Sequence, residues 1–252
     1  MLQPLTDIPA FKSRRAAEWV KAEAYWLSAP LRHVVDIGDI VIDRIEQLLE
    51  ENRGDSVIDA ACGSGWVLEG LTKRSSSVSY TGVDINPDFL AHVQALPHDM
   101  PVTLVKADLE QRWDTPPAKA AVVVSALTQI ELADIDRVMA NLASMTDANG
   151  TLLIATIDKT YLLLAAADGD EAALKRILYE YEHIPGVKFF FQPIDLGDGA
   201  SDKFAYASVL YTTEDFINAA AGAGMRLSNY REIPATDRPI PKIYQIFEFV
   251  HR

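Results

Sequence analysis

The residues with the most chemistry in them lie between positions 57 and 109. Val57-Ile58-Asp59-Ala60-Ala61-Cys62-Gly63-Ser64-Gly65 reads as a short apolar strand, an acid and a glycine-rich turn. Glycine has no Cβ, so a ligand can lie against the main chain there. The helix that follows starts with free N–H groups. Asp59 ends its strand, where an acid orders the loop and meets a cationic ligand. The next strand, Tyr80-Thr81-Gly82-Val83-Asp84, also ends in an acid, placed to accept ribose hydroxyls. After a third strand comes Lys106-Ala107-Asp108-Leu109, where Asp108 is placed to accept an adenine amino group. A glycine-rich loop by itself is equally a plain strand-to-helix turn. Three acids closing three successive strands are harder to assign to solvated turns.

Two nucleotide ligands compete for this pattern. A dinucleotide wants three glycines spaced G-x-G-x-x-G, so that its diphosphate rests on the helix N-terminus. The loop has only Gly63 and Gly65, followed at once by Trp66 and then by Glu69. A bulky ring and two acids, Asp59 and Glu69, suit a diphosphate poorly. An adenosine carrying an amino-acid tail and a sulfonium cation suits them better.

The elements that must position these residues follow from periodicity. Apolar positions Val34, Ile37, Val41, Ile45, Leu48 and Leu49 predict a helix over 34–51, stopped by Gly54. An earlier helix is expected over 11–29. Strands are expected at 57–60, 80–84, 102–105, 120–125 and 151–157. Helices are expected over 63–73, from Asn86-Pro87, where Pro suits a first turn, and over 134–145. Strand–helix alternation implies a parallel sheet covered on both faces. The rhythm then changes: a helix over 169–183, strands over 187–193 and 204–211, a helix opening at Thr213-Glu214-Asp215-Phe216, and two last strands, 227–232 and 243–250, joined without a clear helix and so antiparallel. The fold expected is α/β: a Rossmann-like, mostly parallel seven-stranded sheet with an antiparallel last strand. An N-terminal helical cap over 1–53 precedes the main domain, 54–252, and a helix plus β-hairpin is inserted over 160–211.

The glycine loop resembles motif I of the class I S-adenosylmethionine-dependent methyltransferases. Tyr80 to Asn86 resembles that family's ribose-binding strand and Ala107-Asp108-Leu109 its adenine-contacting segment. Ser125-Ala126-Leu127-Thr128-Gln129-Ile130 resembles the loop lining its methyl-transfer site, and 150–157 its fifth strand. The resemblance is tight over about 55–158 and loose over 212–250. It implies S-adenosylmethionine as cofactor, held by Asp59, Ala61, Cys62, Gly63, Gly65, Asp84, Ile85, Asp108, Leu109, Ser125 and Ala126. Ala60-Ala61 replaces the more usual Leu-Gly pair, and Trp66 a small residue, so the loop is expected to pack tightly around the methionine tail.

Acceptor chemistry is less legible. Tyr25 and Trp26 are candidates to shield a sulfonium or hold it by a cation–π contact; as aromatics at helical spacing they equally anchor a cap. Gln129, Asp158 and Tyr161 are candidate acceptor contacts, because they follow strands four and five. His33, equally read as an exposed helix residue, and His183, beside Tyr179 and Tyr181 in the insert, are the candidate general bases. His92 and His98 belong to the outside of the sheet, and Glu131 equally caps a helix. The insert carries Phe189, Phe190, Phe191, Tyr206 and Tyr211, which suit an apolar acceptor pocket or a homodimer contact.

Bulk composition narrows the partners. A formal net charge of −13 works against a phosphate backbone, and the one basic cluster, Lys12-Ser13-Arg14-Arg15, is short, so nucleic acid is not expected. A single cysteine, Cys62, suits a reducing cytoplasm. The N-terminus lacks a secretory pattern, and no apolar run reaches the ~20 residues of a membrane span. No His/Cys/Asp/Glu spacing marks a metal site. The expected activity is methyl transfer from S-adenosylmethionine to an O, N or C nucleophile of a small organic molecule, of the kind found in specialised metabolism. A non-methylating use of the same cofactor, such as cyclisation, and a non-catalytic nucleotide-binding subunit are the alternatives.

Overall fold

The computed structural model describes residues 3–4, 6–7, 10, 27, 32–74, 77–125, 134–158, 163, 167, 170–184, 188–194, 204–235 and 242–252. Its elements in chain order are β1 (Gln3–Pro4), α1 (Arg32–Glu51), β2 (Ser56–Ala60), α2 (Trp66–Lys73), β3 (Ser79–Asp84), α3 (Pro87–Ala95), β4 (Val102–Lys106), β5 (Ala121–Ser125), α4 (Ile135–Ser144), β6 (Thr151–Ile157), α5 (Glu171–His183), β7 (Lys188–Ile194), β8 (Phe204–Val209), α6 (Thr213–Gly222), β9 (Met225–Ala235) and β10 (Lys242–His251).

Seven strands form one sheet in the order β4-β3-β2-β5-β6-β10-β9. The pairs from β4 through to β6 are parallel, and β10 runs antiparallel to both β6 and β9. The expected Rossmann-like sheet with its antiparallel last strand is therefore present. β2 has β3 on one side and β5 on the other. That reversal of strand order opens a crevice at the C-terminal ends of β2 and β5, where open α/β sheets take their ligands.

The central strands are buried on both faces, which is why they read as continuous apolar runs. Two clusters cover them. On one face Ile58 and Ala60 of β2 join Val138 and Leu142 of α4 and Phe216 of α6. On the other, Val57 joins Ile37, Val41 and Ile45 of α1, Val67 and Leu71 of α2 and Val93 of α3. Side chains alternate along a strand, so Asp59 shares the face of Val57. A bidentate ion pair pins α1 to β10: Arg44 Nε and Nη2 each donate at 2.9 Å to the buried Glu248 carboxylate.

Helix starts follow sequence logic. Asn86 caps α3 by accepting the Asp88 N–H, with Pro87 in the first turn. Asp134 caps α4, and Thr212 with Asp215 forms a reciprocal capping box on α6. One start differs from expectation. The helix expected from Gly63 begins at Trp66, because Gly65 takes a left-handed φ of 81° and holds the chain out of the helix until then.

The insert contains the expected helix, α5, and the hairpin β7–β8. A strand from the N-terminal segment that the sequence does not announce joins the hairpin: β1 pairs antiparallel with β7, Gln3 opposite Phe189, giving a three-stranded sheet. A two-residue strand containing proline has no readable period. Leu163, Ala167, Ile177 and Leu210 form a small core here, with Ile157 at the end of β6 packed against it. The helix expected over 11–29 lies outside the described residues, apart from Leu27. Among the described residues, no helix is long and apolar enough to cross a membrane.

Candidate functional site

The loop between β2 and α2 is built by backbone strain at alternate residues. Ala61, Gly63 and Gly65 have φ of 59°, 52° and 81°. The left-handed region disfavours residues with a Cβ, so Ala61 holds a costly conformation at the turn's start. The two glycines serve different ends. A Cβ on Gly65 would stand 2.8 Å from Val93 Cγ2 and 2.9 Å from Leu96 Cδ1, so Gly65 lets α3 pack under the loop. Among the described residues, a Cβ on Gly63 would meet nothing within 4 Å. Gly63 faces open space, as a backbone that receives a ligand must.

The loop's N–H groups are largely used by the protein. Cys62 N–H donates to the Val83 carbonyl at 2.9 Å, and Gly65 N–H to the Cys62 carbonyl at 2.9 Å. Gly63 N–H donates to Asp84 Oδ2 at 2.9 Å. A diphosphate needs such groups free, and this loop has committed three of them. Trp66 is buried in the cluster beneath, so its ring fills the core.

Asp84 organises the edge. Its Oδ1 accepts the Asn86 N–H at 2.8 Å while Oδ2 holds Gly63. Its main-chain carbonyl accepts the Ala107 N–H at 3.0 Å, which ties in the loop after β4. Burial raises the Asp84 carboxyl above its usual range, and the Asn86, Gly63 and Ile85 amides oppose that shift. Each carboxylate oxygen has two lone pairs, so both can still accept a hydroxyl. Ile85 beside it is 54% exposed, a large apolar side chain laid open at this edge. Asp108 accepts the Glu110 N–H at 2.9 Å and stands half-buried. Leu109 is less suited to a ligand contact than the sequence suggests: its side chain is in the core and its carbonyl accepts from Asn141.

Asp59 lies deeper. It is 1% exposed, its Oδ2 accepts the Tyr80 hydroxyl at 2.7 Å, and its Oδ1 is buried with no hydrogen-bond partner among the described residues. Burial, opposed by the Tyr80 hydrogen bond and aided by the nearby Asp84 charge, raises its pKa to about 7. Burial also pushes the Cys62 thiol up, so that side chain is no nucleophile.

The residues expected to contact an acceptor are described in part. Asp158, just beyond β6, has Oδ2 3.2 Å from Gln245 Nε2. That amide nitrogen also lies 3.1 Å from Thr213 Oγ1 and 2.9 Å from the Tyr230 hydroxyl. Tyr230 donates to Glu232 at 2.6 Å, and burial with that bond raises its pKa to about 12. His183 is exposed at the end of α5: its ring stacks on Tyr179, with centroids 3.8 Å apart, and its Nδ1 sits 2.8 Å from the Tyr179 carbonyl. That is a helix-end arrangement, with only Nε2 left for proton transfer. His33 lies on the first turn of α1 and Ser125 ends β5, both described in backbone only. Tyr25, Trp26, Ala126, Gln129, Glu131 and Tyr161 lie outside the described residues.

Two site residues escape sequence reasoning. Tyr80 meets Asp59 only through the register that sets Val57 opposite Tyr80, and no local signal reveals it. Gln245 leaves a trace, as a polar residue buried within an apolar strand.

Comparison with known proteins agrees with this architecture. The methyltransferase domain family matches residues 57–150. No curated protein matches the sequence. Among solved structures, an S-adenosylmethionine-dependent methyltransferase from Clostridium acetobutylicum is similar, with a TM-score of 0.60 at 14% identity, covering 92% of this chain and 99% of its own. The magnesium protoporphyrin IX methyltransferase of Synechocystis, with bound S-adenosylhomocysteine, gives 0.57 at 17% identity, covering 97% and 99%. A glycopeptide N-methyltransferase in complex with S-adenosylmethionine gives 0.58 at 14% identity, covering 84% and 87%. Residues 57–150 thus match a methyltransferase domain, and the fold of the chain is similar to that of S-adenosylmethionine-dependent methyltransferases.

Proposed function

We propose that the protein moves the methyl group of S-adenosylmethionine to an O, N or C nucleophile of a small organic acceptor. The observation that carries the cofactor site is the pairing of an open backbone at Gly63 with the Asp84 carboxylate bonded to it. In this reading Asp84 takes the ribose hydroxyls, Ile85 lies against the adenine and Asp108 accepts its amino group. Gly63 lies against the amino-acid tail, whose cationic end Asp59 favours. Ala61, Cys62 and Gly65 shape the loop, Leu109 contributes main chain only, and Ser125 with Ala126 borders the transfer site.

The cofactor supplies an already activated methyl group, so the chain has mainly to align the acceptor and exclude water. Tyr25, Trp26, Gln129, Asp158 and Tyr161 are assigned to the acceptor. In this reading the N-terminal cap, residues 1–53, and the insert, residues 160–211, contribute residues to the acceptor pocket. His33 and His183 are the bases for an acceptor that must lose a proton. The structurally similar enzymes named for a porphyrin and a glycopeptide support an organic acceptor, and the net charge of −13 speaks against nucleic acid. The single cysteine fits a reducing cytoplasm. Exposed Leu178 and Tyr179 on α5 support a second role for the insert, as a contact between two copies.

Incubation with S-adenosylmethionine and a panel of small acceptors, read by mass spectrometry, tests the reaction. Gain of one CH₂ in the acceptor supports methyl transfer. Consumption of cofactor without that gain favours a non-methylating step, and binding without turnover favours a non-catalytic subunit.

A further inference from the structure

Beneath the glycine loop a carboxyl group is buried with half its hydrogen-bonding capacity unmet. Asp59 Oδ2 accepts the Tyr80 hydroxyl at 2.7 Å, while Oδ1 is fully enclosed and has no partner among the described residues. An ionised carboxylate with an orphan oxygen in an apolar wall is costly, and losing the charge is the usual relief. Among the described residues, the surroundings offer no cation. From β3 the facing titratable groups are Tyr80 and Asp84, and from the loop Cys62, all neutral or acidic. Val123 of β5 pairs beside Asp59, and β5 carries no charged residue. On this face α1, α2 and α3 contribute Val41, Ile45, Val67, Leu71 and Val93. The acids of α1, Asp39, Asp43 and Glu46, are drawn to Arg74, and Arg44 is taken by Glu248 and Glu51.

We propose that Asp59 and Tyr80 form a proton-holding pair under the loop, which gives up its proton to solvent when the cofactor's cationic tail arrives, so that cofactor binding is proton-linked. The inference rests on reading the Gly63 loop as the cofactor site. In the step, the O–H bond of the neutral Asp59 carboxyl breaks, the electron pair stays on the carboxylate and the proton passes to water or buffer. The incoming positive charge replaces the proton as the partner of the buried acid. The pKa of about 7 for the ligand-free pair places the change within the physiological range. Tyr80 is a positioning residue here: its hydroxyl favours the ionised form and so sets the midpoint.

The test is calorimetric titration of the full chain with S-adenosylmethionine across pH 5.5–8.5, in pairs of buffers of different ionisation enthalpy. The account expects release of most of one proton near pH 6.5 and almost none at pH 8.5, with affinity about twenty-fold tighter at pH 7.5 than at pH 5.5. Asp59→Asn, checked for fold by circular dichroism, should bind with no proton release and a flat profile. Tyr80→Phe should move the midpoint to higher pH, a change that a purely structural role would not produce. 5′-Deoxy-5′-methylthioadenosine, which lacks the charged tail, should bind without releasing a proton. Tight binding of S-adenosylmethionine with no proton release, or a release unchanged in Asp59→Asn, overturns the proposal while leaving the site intact. No binding at any pH overturns the reading of the site as well.

Discussion

The Gly63 amide donates to Asp84 Oδ2 at 2.9 Å, joining the loop after β2 to the end of β3. One side chain thus fixes the turn and presents acceptor oxygens beside it. Replacing Asp84 by Ala should release the Gly63 and Asn86 amides and remove the proposed ribose acceptor together. Losing charge-assisted bonds of this kind costs about 3 kcal/mol, roughly a hundredfold in S-adenosylmethionine affinity. Calorimetry checks it, and affinity within threefold of wild type would contradict the assignment.

The two loop glycines should fail differently. Gly65→Ala forces a Cβ against Val93 and Leu96 of the α3 region at a φ of 81°, so its main effect is on stability, a loss of about 2–3 kcal/mol. Gly63→Ala meets no atom of the described residues and costs only the left-handed backbone, about 1 kcal/mol. Its methyl instead occupies the space assigned to the ligand. Thermal melts and cofactor titration on both variants should therefore rank them in opposite orders.

Asp59 makes stability depend on pH in a direction opposite to most carboxylates. Its folded pKa of about 7 stands above its ordinary value of 3.8, so between those values the folded state holds the extra proton. The contribution is full below pH 4, falls as pH rises and is lost above pH 7, where the buried charge costs about 4 kcal/mol. Asp59→Asn should consequently be more stable than wild type at pH 8 and nearly equal to it at pH 4. Urea unfolding at the two pH values measures this; a variant less stable at pH 8 would contradict it.

Arg44 and Glu248 clamp α1 to β10. Arg44→Ala leaves Glu248, 3% exposed, without its guanidinium, and removal of one partner from a buried pair costs about 3–5 kcal/mol. Asn229 still donates to Glu248, which sets the expectation at the lower end. The double change Arg44→Met with Glu248→Leu should recover most of the loss in a denaturant melt.

The sheet was legible because its strands are buried on both faces and alternate with capped helices: Val57 to Ala60, Val122 to Val123 and Leu152 to Ala155 leave little room for another reading. Asp59 and Asp84 were legible as acids ending strands, but their separate roles were not. Asp84 reaches the loop amide, while Asp59 turns inward to Tyr80, and only strand register decides which. Gly63 and Gly65 looked alike because a sequence does not show what stands over each Cα. Trp66 showed in the sequence only as bulk after the glycines, and its burial makes it part of the core. β1 carried no signal because two residues cannot display a period, and its partner β7 lies far away in the chain.

The account stands most directly on which nucleotide the Gly63 loop holds. Titrating the purified chain with S-adenosylmethionine and, separately, with NAD measures that preference. The account predicts saturable binding of S-adenosylmethionine at one site per chain, lost in Asp84→Ala, with NAD bound at least a hundredfold more weakly, because the Cys62, Gly63 and Gly65 amides that a diphosphate needs are already bonded within the protein. Tight NAD binding, or S-adenosylmethionine affinity indifferent to Asp84, would contradict it.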